Sequence, residues 1–144
     1  MNRLRLPLIL ALALPGAARA AEDVRQLAPL PEAAAATLRA EMRGNLRALN
    51  EIVELLAADK VKEAGAVAEK ELGLSAMGRH PNLPMDARPG PHMPPAMHGI
   101  GMEGHKAASA FAQAAASGDR AKALAALPAV TAGCVSCHHA YRIR

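Results

Sequence analysis

The amino-acid sequence predicts an all-α fold, and three observations carry that reading. Alanine, the best helix former, dominates the chain. β-branched residues are too sparse to build strands, and aromatics are nearly absent: there is no Trp, and Phe111 and Tyr141 stand alone. Apolar residues recur alternately three and four apart in separate stretches, the pattern of helices that bury one face. A chain of 144 residues holds one small domain.

Residues 1–20 read as a secretory leader rather than as part of that domain. Arg3 and Arg5 form a basic start, Leu6 to Leu14 an apolar run, and Ala18-Arg19-Ala20 a small-x-small cleavage site. The run is well short of the ~20 residues that a membrane span needs, so no anchor is expected after cleavage. The mature domain, residues 21–144, then begins at Ala21 in the periplasm. The whole chain has 17 Lys+Arg against 13 Asp+Glu, a net charge of +4. Arg3, Arg5 and Arg19 leave with the leader, so 14 basic residues face 13 acidic ones. The high pI is therefore no argument for nucleic acid, and the chain lacks the aromatic and basic platform that such binding needs.

The first helix is expected from about Pro31 to Ala58, with Pro31 at the first helical position and Glu32 at the positive end of the dipole. Leu38, Met42, Asn45, Leu49, Ile52 and Leu56 form its inward stripe, which Leu46 and Val53 widen. Asp59 is expected to cap the second helix, which turns Val61, Ala64, Ala68 and Leu72 inward and stops at Gly73 in a Schellman-like turn. Residues 73–95 hold Pro81, Pro84, Pro89, Pro91, Pro94 and Pro95 and make a long Pro/Met/His-rich loop. The third helix runs from Pro94 or Pro95 to Ser117. Met97, Gly101, Gly104, Ala108, Phe111 and Ala115 share a stripe whose small residues would let a flat ring or another backbone come close. Gly118 breaks the chain and Asp119 caps the fourth helix. There Leu124, Leu127, Thr131, Cys134, His138 and Tyr141 form the inward stripe, with a kink expected at Pro128.

That last stripe carries the chemistry, in Cys134-Val135-Ser136-Cys137-His138. Two thiols a helical turn apart can each add to a vinyl group of one porphyrin while the adjacent imidazole reaches the iron; C-x-x-C-H reads as a c-type haem attachment site. A redox dithiol would sit at a helix N-terminus after a strand, and none precedes Cys134. Structural zinc needs four ligands, and the chain has only these two cysteines. A disulfide would close a very small loop and stabilise little. A haem would also supply the apolar bulk that an alanine-rich, aromatic-poor core lacks. The haem-free chain is accordingly expected to fold poorly.

Helices ending in Cys134-Val-Ser-Cys137-His138-His-Ala-Tyr141-Arg142, after a Ser-Gly-Asp119 turn, resemble the class II cytochromes c: cytochrome c prime and its low-spin relatives. The C-terminal pattern C-x-x-C-H-x-x-Y-[RK] matches at every fixed position. The long loop departs from the family, whose members usually have a shorter connection there. The resemblance implies an antiparallel four-helix bundle with one covalent haem c near the C-terminus. Cys134 and Cys137 correspond to the thioether positions, His138 to the proximal iron ligand and Arg142 to the basic residue beside it. Arg142 has an alternative role as a solvated charge suiting the helix dipole. Tyr141 is expected near the haem as packing, and His139 to face outward.

The resemblance leaves the distal side of the iron as the feature that decides function. Met42, on the inward stripe of helix 1, is the candidate distal ligand, which would give a low-spin electron carrier with a redox partner protein. If Met42 only packs, as a Met on an apolar stripe does by default, the iron is open to small gases such as NO and CO. Met97, Met102 and His105 are other candidate ligands. Five of the seven Met and four of the six His fall between Met77 and His105, so copper binding by the loop is a third reading, and Arg79, Arg88 or a loop His could pair with the haem propionates. Nothing resembles a nucleophile-base-acid set, and Arg39 and Arg43 on helix 1 have no His beside them, so no enzyme is expected. The expectation is an exported monohaem cytochrome c acting in electron transfer, and many relatives of the family it resembles form homodimers.

Overall fold

A computed structural model describes residues 22–144; the expected leader and Ala21 lie outside the described residues. The chain is mostly helical. A two-residue strand β1 (Gln26–Leu27) leads into α1 (Glu32–Ala57) and α2 (Val61–Glu71). After a long connection come α3 (Pro95–Ala115), α4 (Arg120–Ala140) and a second short strand, β2 (Tyr141–Arg142). The extensive helix pairs are α1 with α2, α2 with α3, and α3 with α4.

Helix α1 starts one residue later than expected. Pro31 is extended (φ −54°, ψ 150°) and precedes the first helical residue, Glu32, which still places its charge at the positive end of the dipole. The far end of α1 differs more. Asp59 takes a left-handed φ of 60°, the Lys60 N–H donates to the Leu55 carbonyl, and the Asp59 N–H to that of Leu56. These are the two bonds of a Schellman stop, so Asp59 closes α1 instead of capping α2. Gly73 was the expected Schellman residue, yet its φ is −74°. A Cβ there would lie 2.8 Å from the Glu69 carbonyl oxygen, so Gly73 answers to crowding at the end of α2 and not to a left-handed turn.

Residues 73–94 form no α-helix, as the prolines require, but three short 3₁₀ turns at Leu74–Ala76, Met85–Ala87 and Gly90–His92. Loop arginines satisfy loop carbonyls. Arg88 donates from Nε to Leu83 (2.8 Å) and from Nη2 to Pro81 (2.5 Å), and Arg79 donates to Ala76 (3.1 Å) and to Glu71. The Met85–Ala87 turn rests on α1, and His80 Nε2 lies 3.2 Å from Glu41 Oε1. Helix α3 ends at Ala115, two residues early, because the Gly118 N–H turns back to the Ala115 carbonyl. Gly118 is left-handed (φ 79°) and Asp119 caps α4 as expected, accepting from the Lys122 N–H at 3.1 Å.

Two apolar clusters hold the helices. In the first, Ile52 and Leu56 of α1, Val61, Ala64 and Ala68 of α2, Ala108, Phe111 and Ala115 of α3, and Ala123 and Val130 of α4 are buried together. Phe111 and Ile52 are its large, fully buried side chains. Glycines let backbones approach: a Cβ on Gly65 would stand 2.9 Å from that of Ala115, and one on Gly133 3.2 Å from the Cα of Gly104. The second cluster forms where α1 and α3 begin and α4 ends. Ala28, Leu38 and Met97 are buried there, with Leu30, Met42, Met93, Cys137, Tyr141 and Ile143 packed around them.

Some expected inward residues face out. Leu46 is 69% and Val53 49% exposed, so the buried face of α1 is narrower than the sequence suggests. Leu124 of α4 is 45% exposed as well, because the face of α4 that meets α3 centres on Ala123 and Val130. By length and composition α4 could cross a membrane, but it packs along α3.

Candidate functional site

The last two turns of α4 bring Cys134, Cys137 and His138 together. At about 100° per residue, Cys134 and Cys137 lie within about 40° of Val130, the last buried residue of the helix, so both continue its core-facing side. The protein's own packing ends before them. Cys134 and His138 are exposed, and Cys137 is half-buried. The expectation that these side chains lie buried in the stripe is thus corrected: their direction is inward, but only Cys137 meets a neighbouring element. The expected helical register of Tyr141 is also corrected, since α4 ends at Ala140 and Tyr141 and Arg142 are extended. His139 is exposed, as expected.

Both cysteines are free thiols. Burial pushes the Cys137 thiol above its ordinary pKa, and the adjacent Cys134 adds to the rise. Cys137 packs on the cluster that holds Met42, Met93 and Met97. Met97 is the buried one, at 5% exposure, and Met42 is half-buried. One apolar patch therefore collects a thiol and three thioethers beside the exposed thiol and imidazole.

The remaining candidates are spread out. His105 of α3 shares its Nδ1 between the carbonyls of Leu72 (2.7 Å) and Gly73 (3.1 Å), tying α3 to the end of α2. His92 Nε2 bonds the Met85 carbonyl at 3.1 Å, and His80 faces Glu41. Met77 and Met85 are exposed. Among the described residues, no three His, Cys, Asp or Glu side chains gather as a metal group. Arg39 and Arg43 point to solvent. Of two surface grooves, one of about 430 Å³ lies by Glu69 and Ser109, away from the site, and one of about 560 Å³ runs along α3 and α4 at Gly104 and Gly133 and reaches Ser136, between the two cysteines.

The sequence reading missed the segment that closes one edge of the site. Strand β1 pairs parallel with β2, Gln26 opposite Tyr141 and Leu27 opposite Arg142, and the Ala28 N–H donates to the Arg142 carbonyl at 2.9 Å. Ala28 is buried and packs with Leu30 in the cluster of Cys137. Asp23 accepts three bonds from Arg25, two from its guanidinium at 2.8 and 2.9 Å and one from its backbone N–H at 3.2 Å, and lies 3.6 Å from Arg142 Nε. The Arg25 bonds chiefly hold the Asp23 carboxyl at a pKa of about 2. Arg142 Nε is buried with no hydrogen-bond partner. Two extended residues on each side give no period to read, which is why the ladder left no signal in the sequence.

The donor set suits a c-type haem: two unpaired thiols on one turn, an imidazole next to them, and an apolar, thioether-lined patch alongside. No family model, no curated protein and no solved structure matches the chain.

Proposed function

We propose that this is an exported, periplasmic monohaem c-type cytochrome whose helices form an antiparallel four-helix bundle and which transfers single electrons to and from a partner protein. Cys134 and Cys137 would hold the haem as thioethers and His138 would ligate its iron. The observation that carries the reading is Cys134-x-x-Cys137-His138 in the last two turns of α4, where both cysteines continue the core-facing side of the helix beyond Val130. A haem bound there supplies the ferrous–ferric couple. The chain's own residues bind and orient: the thiols fix the ring's position along α4, and Leu38, Met42, Met93 and Met97 offer an apolar surface that keeps water from that side.

Met42 is the proposed distal ligand, because it belongs to the same cluster as Cys137. Its thioether would favour the reduced iron and a carrier's potential. That same cluster also supports the second reading, in which Met42 packs with Met93 and Met97 and the iron binds small gases. Copper binding by the loop has less support, because His80, His92 and His105 each meet a separate protein partner.

The absorption spectrum of the exported protein decides between these readings, taken ferric and ferrous, with and without carbon monoxide, beside Met42→Ala. Low-spin bands that ignore carbon monoxide and are lost in the variant identify Met42 as ligand. A high-spin spectrum that shifts with carbon monoxide selects gas binding.

A further inference from the structure

The last turn of α4 carries the proposed axial ligand at the place where a helix is least well held. The Cys137 carbonyl accepts from the Tyr141 N–H, but the last three carbonyls of the helix have no intrahelical donor, and such ends fray unless something outside caps them. Of these, the His138 carbonyl accepts from Arg25 Nη1 at 3.4 Å, a donor 113 residues away in the chain. The guanidinium also places a positive charge at the negative end of the α4 dipole.

Arg25 is itself held. Asp23 grips it through Nε and Nη2 and stands beside Arg142, so one carboxylate joins the two arginines that flank the end of α4. Downstream of Arg25 the segment is pinned by the ladder to Tyr141 and Arg142 and by burial of Ala28 against the cluster of Cys137. Backbone pairing, apolar packing and an ion pair thus converge on a single helical turn.

Resting on the haem reading above, we infer that residues Asp23–Leu30 are a latch that sets the orientation of His138 toward the iron, with Arg25 as the positioning residue. The latch acts through the backbone of the ligand, since Arg25 holds the His138 carbonyl and not its ring. A cation there also disfavours the ferric state, so its removal lowers the midpoint potential.

The test compares the exported protein with Arg25→Ala, Arg25→Lys and Ala28→Asp by amide hydrogen exchange, ferric electron paramagnetic resonance and redox titration. Loss of a charge-assisted bond is expected to speed exchange at the Ala28 and Tyr141 amides by on the order of tenfold. The resonance positions, which report the setting of the imidazole plane, shift in Arg25→Ala and Ala28→Asp, and the potential falls in Arg25→Ala. Arg25→Lys keeps the charge and restores most of the potential but not the fork on Asp23. Faster exchange with unmoved resonance and potential would reduce the strap to scaffolding and overturn the latch. A wild-type protein without haem overturns the proposed function instead. The latch, defined by the setting of His138 toward the iron, then falls with it.

Discussion

The two apolar clusters of this molecule are built from different materials. The cluster around Phe111 and Ile52 draws on all four helices, holds only hydrocarbon, and buries its largest side chains completely. The cluster around Leu38 and Met97 has three buried residues, and the rest of it is partly buried sulfur from Met42, Met93 and Cys137, with Leu30, Tyr141 and Ile143. The short α2 does not contribute to it, and the loop and the strap stand in. A close-packed aliphatic core fixes one arrangement of helices, whereas flexible thioethers adapt to whatever lies against them. Stability and the proposed chemistry are therefore separated along the axis of the helices.

Breaking the first cluster should have the largest effect. Phe111→Ala is expected to cost about 3–5 kcal/mol in thermal or denaturant unfolding, with the spectrum of the folded fraction unchanged. Met97→Ala, in the second cluster, is expected to cost about 2–3 kcal/mol and to alter the spectrum as well. Equal spectral effects from the two variants would erase the division of labour.

Smaller changes sharpen it. Gly65→Ala gains helix propensity but drives a Cβ to 2.9 Å from Ala115, so overpacking should dominate and cost about 1–3 kcal/mol. In the haem-free protein that retains the fold, Cys134 should react with iodoacetamide faster than Cys137, which is half-buried and carries a raised pKa. That ratio should narrow as pH rises through the folded-state pKa of Cys137. The same shift favours the neutral thiol in the fold. Its stabilising contribution is whole below the unfolded-state pKa and lost at alkaline pH. The smallest effect is expected at Asp59, where Asp59→Gly removes a Cβ from a left-handed position and should stabilise by about 0.5–1 kcal/mol.

The helices were legible in the sequence because periodicity and punctuation act locally. Gly118 and Asp119 mark the start of α4 by turn and cap chemistry that needs no tertiary context. Asp59 and Gly73 were exchanged in the reading because both residue types suit a left-handed stop, and which one adopts it depends on how α1 and α2 pack. Leu46, Val53 and Leu124 were read inward because period alone does not say how wide a face the neighbouring helix covers. At the candidate site, Cys134, Cys137 and His138 stand out in the sequence by their spacing, and Met42 by its stripe, which leads to the cluster that Cys137 also meets. Arg25 and Asp23 were invisible, since their partners lie at the other end of the chain.

The central claim is covalent haem on Cys134 and Cys137, and the direct measurement is the intact mass and pyridine haemochrome of the exported protein after extraction with acidified organic solvent. The account predicts a chain beginning at Ala21, heavier by one haem, that keeps its colour through extraction and loses one thioether link in Cys134→Ser. A chain of unmodified mass with two titratable thiols would contradict it.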